Sequence, residues 1–190
     1  MSETAGPHAD HSIHTVAVIG AGQAGRTFAM MCAGAGFYVV LEDVMPSNLR
    51  KAEVEYSDLS LRGGYGELEL ASNVEGAVRE ADIAVDFVPD ELESKLEIFS
   101  MVDRMAPPKT ILCTPSLALS ITDLASCVYR PSRSLAIRGE MVKGSTVQIL
   151  YPPGVDFAVL QSVEGFFRRL GVLPVPTPDP DTSILTKNVT

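Results

Sequence analysis

Beyond His14 the chain contains no histidine, because its three, His8, His11 and His14, all fall in the opening stretch. Imidazole is the side chain most often used as a general base near neutral pH. Its absence excludes histidine-mediated proton transfer from the body of the protein. The three histidines recur every third residue, but a polar leader carrying Gly6-Pro7 reads as solvated chain, and no metal site is expected. Cysteine is scarce as well. Cys32, Cys113 and Cys127 form no CxxC pair, which argues against a disulfide framework or a thiolate zinc centre and for reduced thiols in a cytoplasmic protein. Cations are few: 15 Lys and Arg against 24 Asp and Glu leave a net charge of −9. That balance excludes binding along a nucleic-acid backbone and opposes an anionic membrane surface. No stretch reads as a signal peptide, and no apolar run is long enough to span a bilayer. An anionic ligand must therefore be held by backbone N–H groups or by a few placed cations.

What the chain does contain is an alternation of strand and helix signals from Thr15 onward, within 190 residues of which 46% are hydrophobic. Strands are predicted at Thr15–Ile19, Phe37–Leu41, Leu68–Ala71, Asp82–Val88, Thr110–Cys113, Ser134–Arg138, Thr146–Leu150 and Val172–Val175. Between them, helices are predicted over Ala24–Ala35, Pro46–Tyr56 and Asn73–Glu80. Two more are marked by Leu92, Leu96, Phe99 and Val102, and by Phe157, Leu160, Phe167 and Leu170. Leu59–Glu67 reads as a Gly-rich loop, and a Pro-rich tail closes the chain. Continuous apolar strands separated by helices imply an α/β fold with a doubly wound, mostly parallel sheet. The expected organisation is a disordered leader over 1–13, a single Rossmann-type domain over 14–178 and a tail over 179–190.

The chemistry-bearing motif is Gly20-Ala21-Gly22-Gln23-Ala24-Gly25, a GxGxxG run that follows a predicted strand and opens a predicted helix. In that context the three glycines differ in role. Gly20 makes the tight turn, Gly22 admits a pyrophosphate to the backbone, and Gly25 lets the helix pack on the sheet. Gln23 and Ala24 begin the helix, whose free N–H groups and partial positive charge suit an anion. Asp43 ends the second strand, where a carboxylate can accept the adenosine ribose hydroxyls and repel a 2′-phosphate, favouring NAD over NADP. The competing reading of Glu42 and Asp43 is a polar strand end.

From Thr15 to about Lys187 the chain resembles the NAD-binding domain of 3-hydroxyacyl-CoA dehydrogenases. The carrying blocks are Val16–Gly22, Val39–Asp43, Asp82–Val88 and Glu91–Lys95 with Phe99 and Asp103. Thr110–Leu112, Ile121–Ala125 with Arg130-Pro131, Arg168–Gly171 and Pro174-Val175 continue the match in the same order. The resemblance implies that Asp43 binds the adenosine ribose and that Asp90, where the family has Glu, and Lys95 lie near the nicotinamide half. Without the resemblance Lys95 reads as a solvent-facing helix lysine.

The departures from the family pattern bear on activity. Its substrate loop reads Asn-Thr-Ser-Ser-Leu, whereas Pro115-Ser116-Leu117-Ala118-Leu119 stands here, with Leu117 at the serine that touches substrate and cofactor. By ungapped register Arg138 replaces the catalytic histidine, Met141 the asparagine and Leu150 the orienting glutamate. An arginine is permanently protonated and cannot act as the base. The stretch from Asp43 to Asn73 is also shorter than the helical arm that grips coenzyme A in the family, and the family's helical substrate and dimerisation domain would begin near Lys187. The expectation is an NAD(H)-binding protein without the family's activity by itself, as a homo-oligomer or with a separate helical partner. The alternatives are an oxidoreductase with rebuilt chemistry on a small hydroxy or keto substrate, using Lys95, Glu140 or Lys143, and the cofactor-binding half of a two-chain dehydrogenase.

Overall fold

Short apolar runs give the central strands two buried faces, and the alternation of side chains along each strand feeds two cores. In β1 (Thr15–Ile19), Val16 and Val18 join one cluster while Ala17 and Ile19 join the other. A computed structural model of the protein describes residues 12–180. His8, His11 and most of the expected leader and tail lie outside the described residues.

The remaining elements follow in chain order as α1 (Gln23–Gly34), β2 (Tyr38–Glu42), α2 (Pro46–Ser60), β3 (Leu68–Ala71), α3 (Val74–Val78) and β4 (Ile83–Asp86). Then come α4 (Leu92–Met105), β5 (Ile111–Pro115), α5 (Ile121–Ala125), β6 (Ser134–Arg138), β7 (Thr146–Tyr151), α6 (Phe157–Arg169) and β8 (Leu173–Pro178). The strands form one eight-stranded sheet in the order β3-β2-β1-β4-β5-β6-β7-β8. Every pair is parallel except β6–β7. Helices α1 and α6 cover one face, where Phe28, Phe166 and Phe167 pack with Val18 and Val39. On the other face, α3, α4 and α5 bring Val78, Phe99 and Leu124 against Ala17, Ala84 and Ala136. This is the doubly wound α/β fold expected from the alternation of elements. The chain winds outward from β1 to β3 and then crosses back to β4, so a crevice opens beyond the carboxyl ends of β1 and β4.

Most element ends shift by a residue or two from the sequence reading, and three differences are larger. Helix α2 continues past Tyr56 to Ser60, and only Ala52 in it is buried, so no apolar stripe marks its end. The short α5 was not expected; Ser120 caps it by accepting the Asp123 amide. The Pro-rich segment is partly strand. β8 donates to β7 from its odd positions, Leu173 N to Ser145 O at 2.8 Å, and Asp179 N just beyond it donates to Tyr151 O at 2.9 Å. Pro174, Pro176 and Pro178 thus put their missing N–H groups on the free edge, where an edge strand tolerates proline. The packed body also reaches past both expected bounds. Ile13 is buried in the core, and the Asp179 carboxylate accepts the Ser120 hydroxyl at 2.7 Å and the Thr122 amide at 2.8 Å.

Candidate functional site

The three glycines of the turn between β1 and α1 stand in three different physical situations. Gly20 has φ +98°, a left-handed conformation that side chains disfavour, and its amide donates to the Glu42 carbonyl at 2.9 Å. Gly25 lies so close to the turn that a Cβ there would stand 1.9 Å from the Gly20 carbonyl oxygen. Gly22 is the opposite case: its backbone is ordinary, with φ −62° and ψ −179°, and a Cβ would meet nothing within 4 Å. The space beside Gly22 is open. It N-caps α1 without a side-chain cap, and no acidic residue lies in the first turn, so the field of the helix end at Gln23 and Ala24 is uncompensated there. Behind the turn Arg26 donates to the Ala21 carbonyl at 2.9 Å, to Gln23 Oε1 at 2.9 Å and to Glu55 at 3.0 Å. This brace was not foreseen.

A cleft of about 630 Å³ opens at the carboxyl ends of the strands, lined by Gly20, Gly22, Asp43, Asn48, Ser72 and Asn73 among others. Asp43 belongs to both the cleft and the turn. Its Oδ2 accepts the Ala21 amide at 2.8 Å and the Asn48 side chain at 3.0 Å, while Oδ1 accepts the Met45 amide at 2.7 Å. Oδ1 therefore keeps acceptor capacity. Glu42, Ser94 and Glu97 also line it; the sequence marks Glu42 only as a polar strand end and assigns no role to Ser94 or Glu97. An open cradle at Gly22, an uncapped helix start and a fixed carboxylate at Asp43 fit a dinucleotide with an unphosphorylated adenosine ribose. NAD is such a group; Gly20, Gly22 and the start of α1 would hold its pyrophosphate and Asp43 its ribose.

Asp90 and Lys95 are placed differently from one another. Asp90 is exposed and its Oδ2 accepts the Leu117 amide at 2.9 Å, tying the β4–α4 loop to the loop after β5. Lys95 is no solvent-facing lysine: it is 1% exposed, and its Nζ lies 2.7 Å from Asp86 Oδ1. Burial pushes the Asp86 carboxyl above its ordinary range, against the pull of the Lys95 ammonium. Asp86 Oδ2 completes no well-formed hydrogen bond, although the Thr114 hydroxyl and the Val88 amide lie near enough to favour the ionised form.

The positions at which the sequence departs from the family pattern lie around the loop after β5 and the β6–β7 hairpin. Arg138 reaches back over the Pro115–Leu119 loop, with Nε 3.5 Å from the Ser116 carbonyl and Nη2 3.3 Å from that of Leu119. Ala136 pairs with Leu150 across the antiparallel strands, and both enter the same core cluster. Arg138, two residues on, shares that face of the sheet. Leu150 is buried, Met141 packs on the opposite core, and Leu117 is 76% exposed. Glu140 and Lys143 stand exposed on the β6–β7 loop. Among the described residues no group of three or more His, Cys, Asp or Glu is placed to hold a metal ion, and no helix is long and apolar enough to cross a membrane.

Residues 15–177 match the family described as 3-hydroxyacyl-CoA dehydrogenase, NAD binding domain. A probable 3-hydroxybutyryl-CoA dehydrogenase of Bacillus subtilis is 31% identical over 66% of this chain and 48% of its own length. The lambda-crystallin homolog of Bos taurus is 36% identical over 84% of this chain and 55% of its own. The crystal structure of a 3-hydroxyacyl-CoA dehydrogenase from Archaeoglobus fulgidus superposes with a TM-score of 0.76 at 29% identity, covering 92% of this chain and 59% of that one. The chain spans about half the length of the curated relatives it matches.

Proposed function

Because this chain belongs to the 3-hydroxyacyl-CoA dehydrogenase family, as its NAD-binding domain, we propose that its own residues hold NAD(H) but do not by themselves carry out that family's oxidoreduction. The observation behind this reading is the placement of Arg138, whose strand partner is Gln148, and of Leu150, which pairs with Ala136. The two stand on neighbouring strands and one sheet face, where the resemblance puts a catalytic histidine and its orienting glutamate. When bound, the nicotinamide supplies a hydride donor or acceptor. The proton must be moved by the protein, and an arginine does not accept one.

The three polar groups that the sequence offers as alternatives are not gathered at one point of the cleft. Lys95 is committed to Asp86, and Glu140 and Lys143 are exposed in solvent. The chain's residues thus bind and orient: the glycine turn takes the pyrophosphate, Asp43 the adenosine ribose, and Asp90 with Arg138 fixes the loop after β5. A cytoplasmic setting, expected from the few and unpatterned cysteines, belongs to the same proposal. Titration with NADH followed by nicotinamide fluorescence tests the reading. Saturable binding at one site per chain is expected, and no binding overturns it.

A further inference from the structure

The cleft holds a second carboxylate for which the glycine motif gives no reason. Glu42 closes β2 after the buried apolar run Val39-Val40-Leu41, is itself only 4% exposed, and lines the cleft beside Gly20 and Asp43. A buried carboxylate is expensive where an apolar side chain would continue the strand. Its charge is poorly compensated. The Gly20 amide favours its ionised form, but burial and the adjacent Asp43 oppose it. Asp43, by contrast, has three donors of its own at Ala21, Met45 and Asn48. Across the cleft α4 contributes a third carboxylate, Glu97, and no Lys or Arg is among the lining residues. The nearest basic residue of α1, Arg26, is turned to Glu55, Gln23 and the Ala21 carbonyl.

We propose that Glu42 is a second specificity determinant at the end of β2, excluding dinucleotides phosphorylated on the adenosine ribose independently of Asp43. The proposal rests on the reading of this cleft as the NAD site. A ribose diol offers two hydroxyl donors to the two carboxylates. A 2′-phosphate brings close to two negative charges at neutral pH into a partly buried space with no cation, where solvent and salt screen little. With Glu42 in place, neutralising Asp43 alone leaves the cleft hostile to that phosphate.

The test is calorimetric titration of NAD+ and NADP+ into the wild-type chain, Glu42→Gln, Asp43→Asn and the double variant, with circular dichroism to establish folding. Wild type is expected to bind NAD+ on the order of 100-fold more tightly than NADP+. Glu42→Gln should shrink that ratio by about tenfold with Asp43 untouched, and the double variant should shrink it further. Glu42→Leu, which continues the apolar run of β2, serves if the glutamine variant does not fold, and the same narrowing is expected. A wild type that binds NAD+ together with a folded Glu42 variant of unchanged ratio overturns the role of Glu42 alone. A wild type that binds neither dinucleotide overturns the reading of the cleft, and the proposal with it.

Discussion

Lys95 and Asp86 meet at 2.7 Å inside the protein, with side chains 1% and 4% exposed. The pair joins the first turn of α4 to the end of β4, directly beneath the loop that carries Asp90. Lys95 therefore acts on the cleft by fixing the elements that form it.

Replacing Lys95 with methionine leaves the Asp86 carboxylate buried without its counter-ion. Breaking one half of such a pair costs about 3–5 kcal/mol, which lowers the melting temperature by roughly 10 °C in a chain of this size. Acid should narrow the deficit, since a protonated Asp86 no longer needs the ammonium. Melting curves at two pH values check this. A Lys95→Met variant as stable as wild type, but deficient in NADH binding, would place the ammonium at the cofactor instead.

The three glycines predict two contrasting variants. Gly22→Val should still fold, because its Cβ meets nothing within 4 Å, with no more than the modest loss expected of valine at a helix N-cap. It should lose NADH binding because the methyl groups fill the cradle. Gly25→Ala should be destabilised outright, since its Cβ would stand 1.9 Å from the Gly20 carbonyl oxygen, and overpacking of this kind costs about 1–3 kcal/mol or more. Thermal melts and a fluorescence titration of both variants separate the effects. Gly22→Val binding NADH normally would reduce the motif to a turn.

Glu42 carries a pH signature. Burial first, and the Asp43 charge second, raise its carboxyl above the ordinary range in the folded protein. The folded state then holds that proton more firmly than the unfolded state, so the side chain favours folding in acid and loses that advantage as pH rises through its folded pKa. Glu42→Gln has no proton to lose. Its melting temperature should equal that of wild type below the usual glutamate range of about 4.3 and exceed it at about pH 8. A gap that stays constant across this range would mean that the side chain matters only for packing.

The legible parts of the molecule were those where backbone geometry dictates residue type. Gly20 needs a positive φ and Gly25 a missing Cβ, and β1 must be apolar on both faces, so the β1–α1 unit announces itself in the sequence. The ion pair did not. Lys95 sits among Glu91, Glu93 and Glu97 and reads as part of a solvated face, while its partner Asp86 hides in a run that registers only as a strand. Its inward orientation is fixed by tertiary packing, which no local pattern encodes. Helix α5 was missed because five residues carry too little periodicity. In the sequence Glu42 shows only as part of a polar strand end, because only the assembled cleft buries it beside Asp43 with no cation among the lining residues.

Acetoacetyl-CoA should not be reduced by NADH at a useful rate on this chain, because the groups at the proton-transfer positions are a guanidinium and a buried leucine. A missing general base alone removes a factor of about 10²–10⁴. Arg138→His by itself should restore little: Leu150 is 1% exposed and cannot orient an imidazole. The exchange also removes the guanidinium that reaches the Ser116 and Leu119 carbonyls at 3.5 and 3.3 Å, loosening the loop the substrate would have to meet. Adding Leu150→Glu is expected to destabilise the fold, since the new carboxylate would enter the cluster that holds Ala136 and Leu124. The measurement is NADH oxidation with acetoacetyl-CoA for wild type, Arg138→His and the double variant. Rapid turnover by wild type would show that another group moves the proton, and Lys143, exposed on the β6–β7 loop, would be the first residue to replace.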